Sequence, residues 1–414
     1  AESRSALHES GNPGNPAGPD VHAPGVQVTG ALAYDLALQA VRRAQSIIPR
    51  PTTQGPLSPG WVITTAGDNF DEPSDAANTA NTGTGVLLQT LAAGCETPWL
   101  GSLNTPQPNN TVSQMLSDAA SAIGIQLNPP NITIDNEPRI QREIRREFFA
   151  AKHGFRDAQW SLLRAFSEAR ELVYIESPQF SRTAYPADPN APALHEVDLL
   201  KVLADRLAAH PSLRVIVCTP RFSDFAENFP AFHRYHYQAR MEAYSQLQTV
   251  ARDRVLLFHP VGFPGRVSYI RTSSIIVDDV WCLVGATHFR RRGMTFDGSA
   301  AIASFDRQIT EGYSTKVRNY RRALMAAKLR VPAPVPGQPL DGEWVRLGSP
   351  ASAFDVVADL LAQGGFGRIQ SIWPGPPSSD NSVLPVQTEV GDPDGSGGQN
   401  LFVTFAGMLN ELGS

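Results

Sequence analysis

The stretch YIRTSSIIVDDVWCLVGATHFRRRG, residues 269–293, gathers side chains able to do chemistry. Arg271 and Ser273 stand two apart, so on one β-strand they face the same way. A guanidinium stays protonated, so Arg271 can hold an anion but serves neither as nucleophile nor as a useful proton donor. Ser273 attacks only with a base beside it, and the local sequence offers none. Arg290, Arg291 and Arg292, taken with Arg271, fit a phosphate-binding cleft, since guanidinium forks grip phosphate through paired hydrogen bonds. The same arginines also fit a structural ion-pair network with Asp278, Asp279 and Asp297. His288 reads either as a substitute acid or base or as a hydrogen-bonded turn residue.

Other motifs are weaker. His233 and His236, three apart on a predicted helix, make half a metal site without further ligands at a recognisable spacing, so no metal and no cofactor is expected. His259, in FHPVGFPG, is expected to cap a strand end. DPDGSGG (392–398) has the start of a calcium loop but not its later ligands, and a linker is the simpler reading. GTG at 83–85 is too short to signal a nucleotide loop.

The 414 residues are 42% hydrophobic and 18% charged, with a net charge of -5, enough for a substantial core and against coating nucleic acid by bulk charge. No apolar run reaches the roughly 18 residues that read as a membrane span. Three cysteines are too few for a disulfide framework, and Cys218 and Cys282 lie in strand-like runs. They read as buried thiols in a reducing compartment, hence a cytoplasmic location.

These residues must be held by regular elements. VQVTG reads as a short strand before a helix ALAYDLALQAVRRAQSII, and WVITT and GVLLQTLAA read as core strands. After the Arg-rich helical stretch from Pro138, strands and helices alternate: LVYIES, HEVDLLKVLADRLAAH, LRVIVCTP, FHRYHYQARMEAYSQLQTV and RVLLFHP. The opening stretch then supplies two strands, followed by the strand SAAIASFD and the helix TKVRNYRRALMAAKL. This order predicts one mixed sheet, with Val173–Ile175, Val215–Val217, Val255–Phe258, Ser274–Val277 and Cys282–Val284 as neighbours. Residues from 331, rich in Pro and Gly with a helix around ASAFDVVADLLAQ, are expected to wrap or link more than to fold alone.

LVYIESPQF closely resembles a strand of the phospholipase D superfamily. The resemblance continues through IIVDDVWCLVGATHFRRR and MTFDGSAAIA, which look like that family's H-x-K-x4-D block with its G-S-x-N turn, and through TKVRNYRRALMAAKL, which looks like its closing helix. DVHAPGVQVTGALAYDLALQAVRR is similar to the segment after the first copy of the block. The resemblance implies an α/β fold, a phospholipase D-like mixed sheet sandwiched by helices in two pseudo-symmetric halves. Residues 1–135 would be an incomplete first half, 136–330 the second half and 331–414 a C-terminal extension.

The family's chemistry uses a histidine nucleophile, a histidine acid and lysines that neutralise the transferred phosphoryl group. Asp278 takes the motif aspartate, which puts Arg271 at the histidine position and Ser273 at the lysine position. The G-S-x-N turn becomes Gly285, Ala286, Thr287 and His288, and Ser299 stands where the family carries an acid. No H-x-K occurs in the chain. The reading is a phospholipase D-like protein that is catalytically inactive in this chain and acts as a structural or binding component of a larger bacterial assembly. An upstream segment or another polypeptide is expected to complete the first half against residues 25–92. Two alternatives stay open: a phosphodiesterase whose intact block lies upstream, and a binding module for anionic lipid headgroups or nucleic acid.

Overall fold

Three stretches build the centre of the molecule. LVYIE (172–176), RVIVC (214–218) and SSIIV (273–277) are buried at nearly every position, as strands must be when both faces of their sheet are covered. The computed structural model describes residues 20–47, 83–93, 109–111, 113–115, 117–118, 137–221, 230–262, 268–372 and 386–396. The expected strand WVITT lies outside them.

The described chain begins with β1 (Asp20–His22), α1 (Ala31–Ile47), β2 (Gly83–Leu91), α2 (Glu137–His153), β3 (Phe155–Arg156) and α3 (Asp157–Glu168). Then come β4 (Leu172–Glu176), α4 (Leu199–Ala209), β5 (Arg214–Cys218), α5 (Pro230–Ala251), β6 (Val255–Pro260), β7 (Ser268–Ile270), β8 (Ser273–Val277) and β9 (Trp281–Gly285). The last part holds α6 (Arg291–Thr295), β10 (Ser299–Asp306), β11 (Ile309–Thr310), β12 (Tyr313–Ser314), α7 (Thr315–Leu329), α8 (Gly342–Arg346), α9 (Pro350–Ala362), β13 (Ile369–Ser371) and α10 (Thr388–Gly391).

One sheet runs in the order β13-β6-β5-β4-β8-β9-β10-β2-β3, with β4, β5 and β6 parallel and the other pairings antiparallel. The five strands expected to be neighbours are therefore adjacent, and Cys218 and Cys282 are buried and free. Alternate residues along each strand face opposite layers. Val173, Ile175, Val215, Val217 and Ile275 pack with Leu162, Leu203 and Leu247 of α3, α4 and α5. Leu172, Tyr174, Ile216 and Ile276 pack with Leu324, Met325, Phe354 and Val357 of α7 and α9. The mixed sheet between helical layers expected from the sequence is the architecture observed.

Two details differ from the sequence reading. Residues 26–29, in VQVTG, form no strand, and Val26 is exposed. The strand is DVH instead, paired parallel with the three-residue β7; Arg271 N donates to His22 O at the end of that pairing. The region after 331 holds the helix expected around ASAFDVVADLLAQ, as α9, and adds a strand the sequence did not announce. Ser349 caps α9 at Ser352 N with Pro350 in the first turn, and β13 pairs with β6 at the sheet edge. β2, from the stretch assigned to a first half, pairs with β10 along its length and so extends the same sheet.

The β8–β9 hairpin turns at Asp278 and Asp279, both left-handed with φ of 51° and 55°. Side chains compensate for that strained backbone. The Asp278 carboxylate accepts from the backbone N–H groups of Arg170, Glu171 and Leu172 at 2.8, 2.8 and 2.9 Å, tying the turn to the start of β4. Asp279 receives Arg321 of α7 through two hydrogen bonds of 2.6 and 2.7 Å, and both side chains are fully buried. Arg321→Met leaves the Asp279 carboxylate buried and unpaired, so urea unfolding should show a loss of about 3–5 kcal/mol. Arg346→Met breaks the more exposed pair with Asp359 and should cost under about 1 kcal/mol. Equal losses in the two variants would contradict this assignment.

Candidate functional site

The two positions that should carry the chemistry do not share a strand. β7 ends at Ile270 and β8 starts at Ser273, with Arg271 and Thr272 in the bend between them. Arg271 is exposed, whereas Ser273 is completely buried. The alternation that would aim residues 271 and 273 at one substrate is therefore broken.

Ser273 sits inside a chain of polar groups. Its Oγ lies 3.1 Å from Ser177 Oγ and 3.2 Å from Nδ1 of His288. Ser177 Oγ in turn accepts from Phe289 N at 3.0 Å. Each element has a reason to be there. Ser177 follows β4, and hairpin pairing of Ser273 with Gly285 folds residues 286–288 back over Ser273. α6 packs against that loop at Gly293, where a Cβ would stand 2.3 Å from His288 O. A base beside Ser273, missing from its local sequence, thus comes from fifteen residues further on. The readable signal was the Asp278–Asp279 turn, because centring a hairpin there sets the register that brings His288 back.

The arginines are engaged with carboxylates. Arg292 Nε donates to Asp297 Oδ1 at 2.6 Å, and Arg290 Nη2 lies 3.6 Å from Asp297 Oδ2. Arg291 Nε donates to the Asp392 carbonyl at 2.6 Å, and the Asp392 carboxylate accepts from the backbone N–H groups of Arg291 and Arg292. Burial raises the Asp392 carboxyl to about 6, against the pull of Arg290, the Arg292 amide and Arg291. Asp394, two residues on, pairs with buried Arg156 at 2.6 Å. The DPDG segment thus fastens the C-terminal part to α6 and β3. Of the three aspartates considered as partners of these arginines, Asp297 takes that role, while Asp278 holds backbone and Asp279 holds Arg321.

His233 and His236 both fall on α5, and His236 Nε2 lies 3.4 Å from Arg290 Nη1. His259 is a buried residue of β6 with Nδ1 3.4 Å from Pro260 O. Among the described residues no group of three or more His, Cys, Asp or Glu side chains is placed to hold a metal ion.

Under the other face, where Glu176 pairs in register with Ser274, lies a buried charge cluster that sequence reading missed. Glu176 Oε1 is 3.0 Å from Lys328 Nζ and 3.2 Å from His22 Nε2, and Tyr174 OH donates to Oε2 at 3.0 Å. Burial pushes the Glu176 carboxyl up, but Lys328 and His22 outweigh it and hold the group at about 2. Burial and Lys328 lower the His22 pKa, with Glu176 opposing them. Three segments far apart in the chain meet here, and no local spacing announces that.

No family model matches the chain, and no curated protein matches it. Solved structures similar to it include Nuc, a phospholipase D family member from Salmonella typhimurium, at 14% identity over 40% of this chain and 82% of that one, TM-score 0.27. NucT from Helicobacter pylori shows 13% identity over 41% and 85%, TM-score 0.27. Phosphatidylserine synthase from Haemophilus influenzae Rd KW20 shows 10% identity over 44% of each chain, TM-score 0.26. With overlaps this slight, the functional reading rests on the chain's own residues. No helix among the described residues is long and apolar enough to cross a membrane.

Lys328→Met should cost about 3–5 kcal/mol at neutral pH by leaving Glu176 buried without its cation. In the parent chain the depressed Glu176 pKa contributes stability above the usual value of 4.5, and this is lost as pH falls from 4.5 towards about 2. The gap between parent and variant should therefore narrow through that window in urea melts; a gap independent of pH would contradict the charge cluster.

Proposed function

We propose that this chain is a phospholipase D-like protein that has given up phosphodiester chemistry and acts as a structural or binding component of a larger assembly. The observation that carries the reading is the state of the two H-x-K positions. Arg271 is exposed in a bend, and Ser273 is enclosed between Ser177 and His288. A phosphohistidine route needs a nucleophilic imidazole and a cation on one strand face, and neither stands there. His288, at the turn position, is hydrogen-bonded through Nδ1 to Ser273 Oγ. Arg290, Arg291 and Arg292 are drawn to Asp297 and Asp392, which argues against their forming a phosphate cleft with Arg271.

An assembly role is supported by an apolar surface at the β2–β10 part of the sheet. Val86 of β2 and Phe305 of β10 are 54% and 45% exposed on adjoining strands, an apolar surface suited to cover by an upstream segment or a partner chain. The purified chain should not hydrolyse bis-(nitrophenyl) phosphate above the buffer rate, and Arg271→Ala and His288→Ala should leave that result unchanged. Hydrolysis by the parent chain that disappears in His288→Ala would establish an enzyme in which His288 has taken over acid–base work.

A further inference from the structure

Beside α1, the outer edge of β2 runs along a slot. β2 pairs with β10 from Gly83 to Thr90, whereas on its other side β3 covers only Thr90 and Leu91. The direction of each β2 amide follows from the neighbouring strands. Ala286 N donates to Ala300 O, so Ala300 turns its peptide groups towards β9, and by the alternation of an antiparallel ladder Ile302 and Ser304 do the same. Opposite them on β2 stand Gln89, Leu87 and Gly85, which therefore turn theirs away from β10. Gln89 shows what this edge requires, for its N–H donates to the Asp157 carboxylate at 3.2 Å. Among the described residues no strand or side chain supplies the same for Leu87 and Gly85.

The helix forms the other wall. A Cβ at Gly85 would stand 2.7 Å from Leu32 Cδ2, so the glycine lets α1 close onto the strand. Leu32, Asp35 and Leu38 of α1, with Gly85, Leu87 and Gln89 of β2, then line a cavity of about 380 Å³. Asp35 is exposed, and no cation stands among the lining residues. The slot thus offers outward backbone groups at every second residue, leucine side chains and a carboxylate. That set matches an extended polypeptide, whose own amides repeat at the same spacing and whose side chains alternate between the two faces of a sheet.

We propose that this slot takes an extended segment of a partner polypeptide as an added strand, apolar at alternate positions and carrying a basic residue opposite Asp35. The proposal deepens the assembly role and rests on that reading. Main-chain pairing with Gly85 and Leu87 supplies the affinity, while Leu32, Leu38 and Asp35 select the side chains. α1 closes one side of the space, which suits a single strand better than the edge of a second folded sheet. An open edge is otherwise a hazard, since it pairs with any strand that reaches it, and the carboxylate of Asp35 narrows the choice.

The test adds a peptide of about eight residues, alternating valine and lysine, to the full chain and follows hydrogen exchange at single amides. Saturating peptide should slow exchange at Gly85 and Leu87 by about tenfold or more. Leu87→Pro removes an outward N–H without touching the β10 ladder, a place where an edge strand accepts proline, and should weaken binding by about tenfold or more. The same peptide methylated on every backbone nitrogen should fail to bind the parent chain, which tests the pairing from the ligand side if the proline variant folds poorly. A peptide alternating valine and glutamate should bind more weakly, and Asp35→Asn should narrow that difference. Slow exchange at Leu87 in the peptide-free chain, together with a dimer in sedimentation, would put a second copy on the edge and overturn the proposal. No peptide binding would also overturn it, as would binding indifferent to Leu87→Pro and to backbone methylation. The phosphodiester assay is independent: a chain that binds no peptide and hydrolyses nothing loses the slot and keeps the inactive reading, and one that does both loses the inactive reading and keeps the slot.

Discussion

The structure depends on the pair of aspartates that turn β8 into β9. Both hold left-handed backbone, which non-glycine residues adopt at a cost, and each is fixed by a different part of the molecule. Asp278 gathers the three amides that open β4, and Asp279 gathers the buried guanidinium of α7. One turn therefore sets the position of the central parallel strand, the register of the hairpin and the seat of the closing helix. The same register lays His288 against Ser273, so the local chemistry follows from a structural constraint rather than from adjacent residues.

Much of this frame could be read from sequence because its signals are local. Apolar runs such as RVIVC and IIV, bounded by turn residues, give strands; the spacing in TKVRNYRRALMAAKL gives a helix that runs from Thr315 to Leu329. What could not be read depends on pairing between distant segments. VQVTG has the alternation of a strand but finds no edge, while DVH pairs with β7 despite its brevity. DPDG reads as linker by composition, yet its aspartates answer arginines about a hundred and more than two hundred residues earlier. The cluster of His22, Glu176 and Lys328 escapes for the same reason: long-range charge pairing leaves no periodic trace.

The polar groups near the expected catalytic strand are committed to holding the fold together. Ser177, Ser273 and His288 satisfy one another, Arg291 and Arg292 fasten the C-terminal segment, and Glu176 with Lys328 and His22 supports the opposite face of the sheet. Retaining a frame while its reactive positions take structural roles is a route by which one fold outlives one chemistry.

The central proposal is that no covalent phosphoryl transfer passes through this chain. Its most direct test is to incubate the full chain with a phosphodiester labelled at phosphorus, quench in denaturant at alkaline pH, where phosphohistidine survives, and measure protein-bound label. The account predicts no label above that of a heat-denatured control. Stoichiometric label mapped to His288 or Ser273 would contradict it.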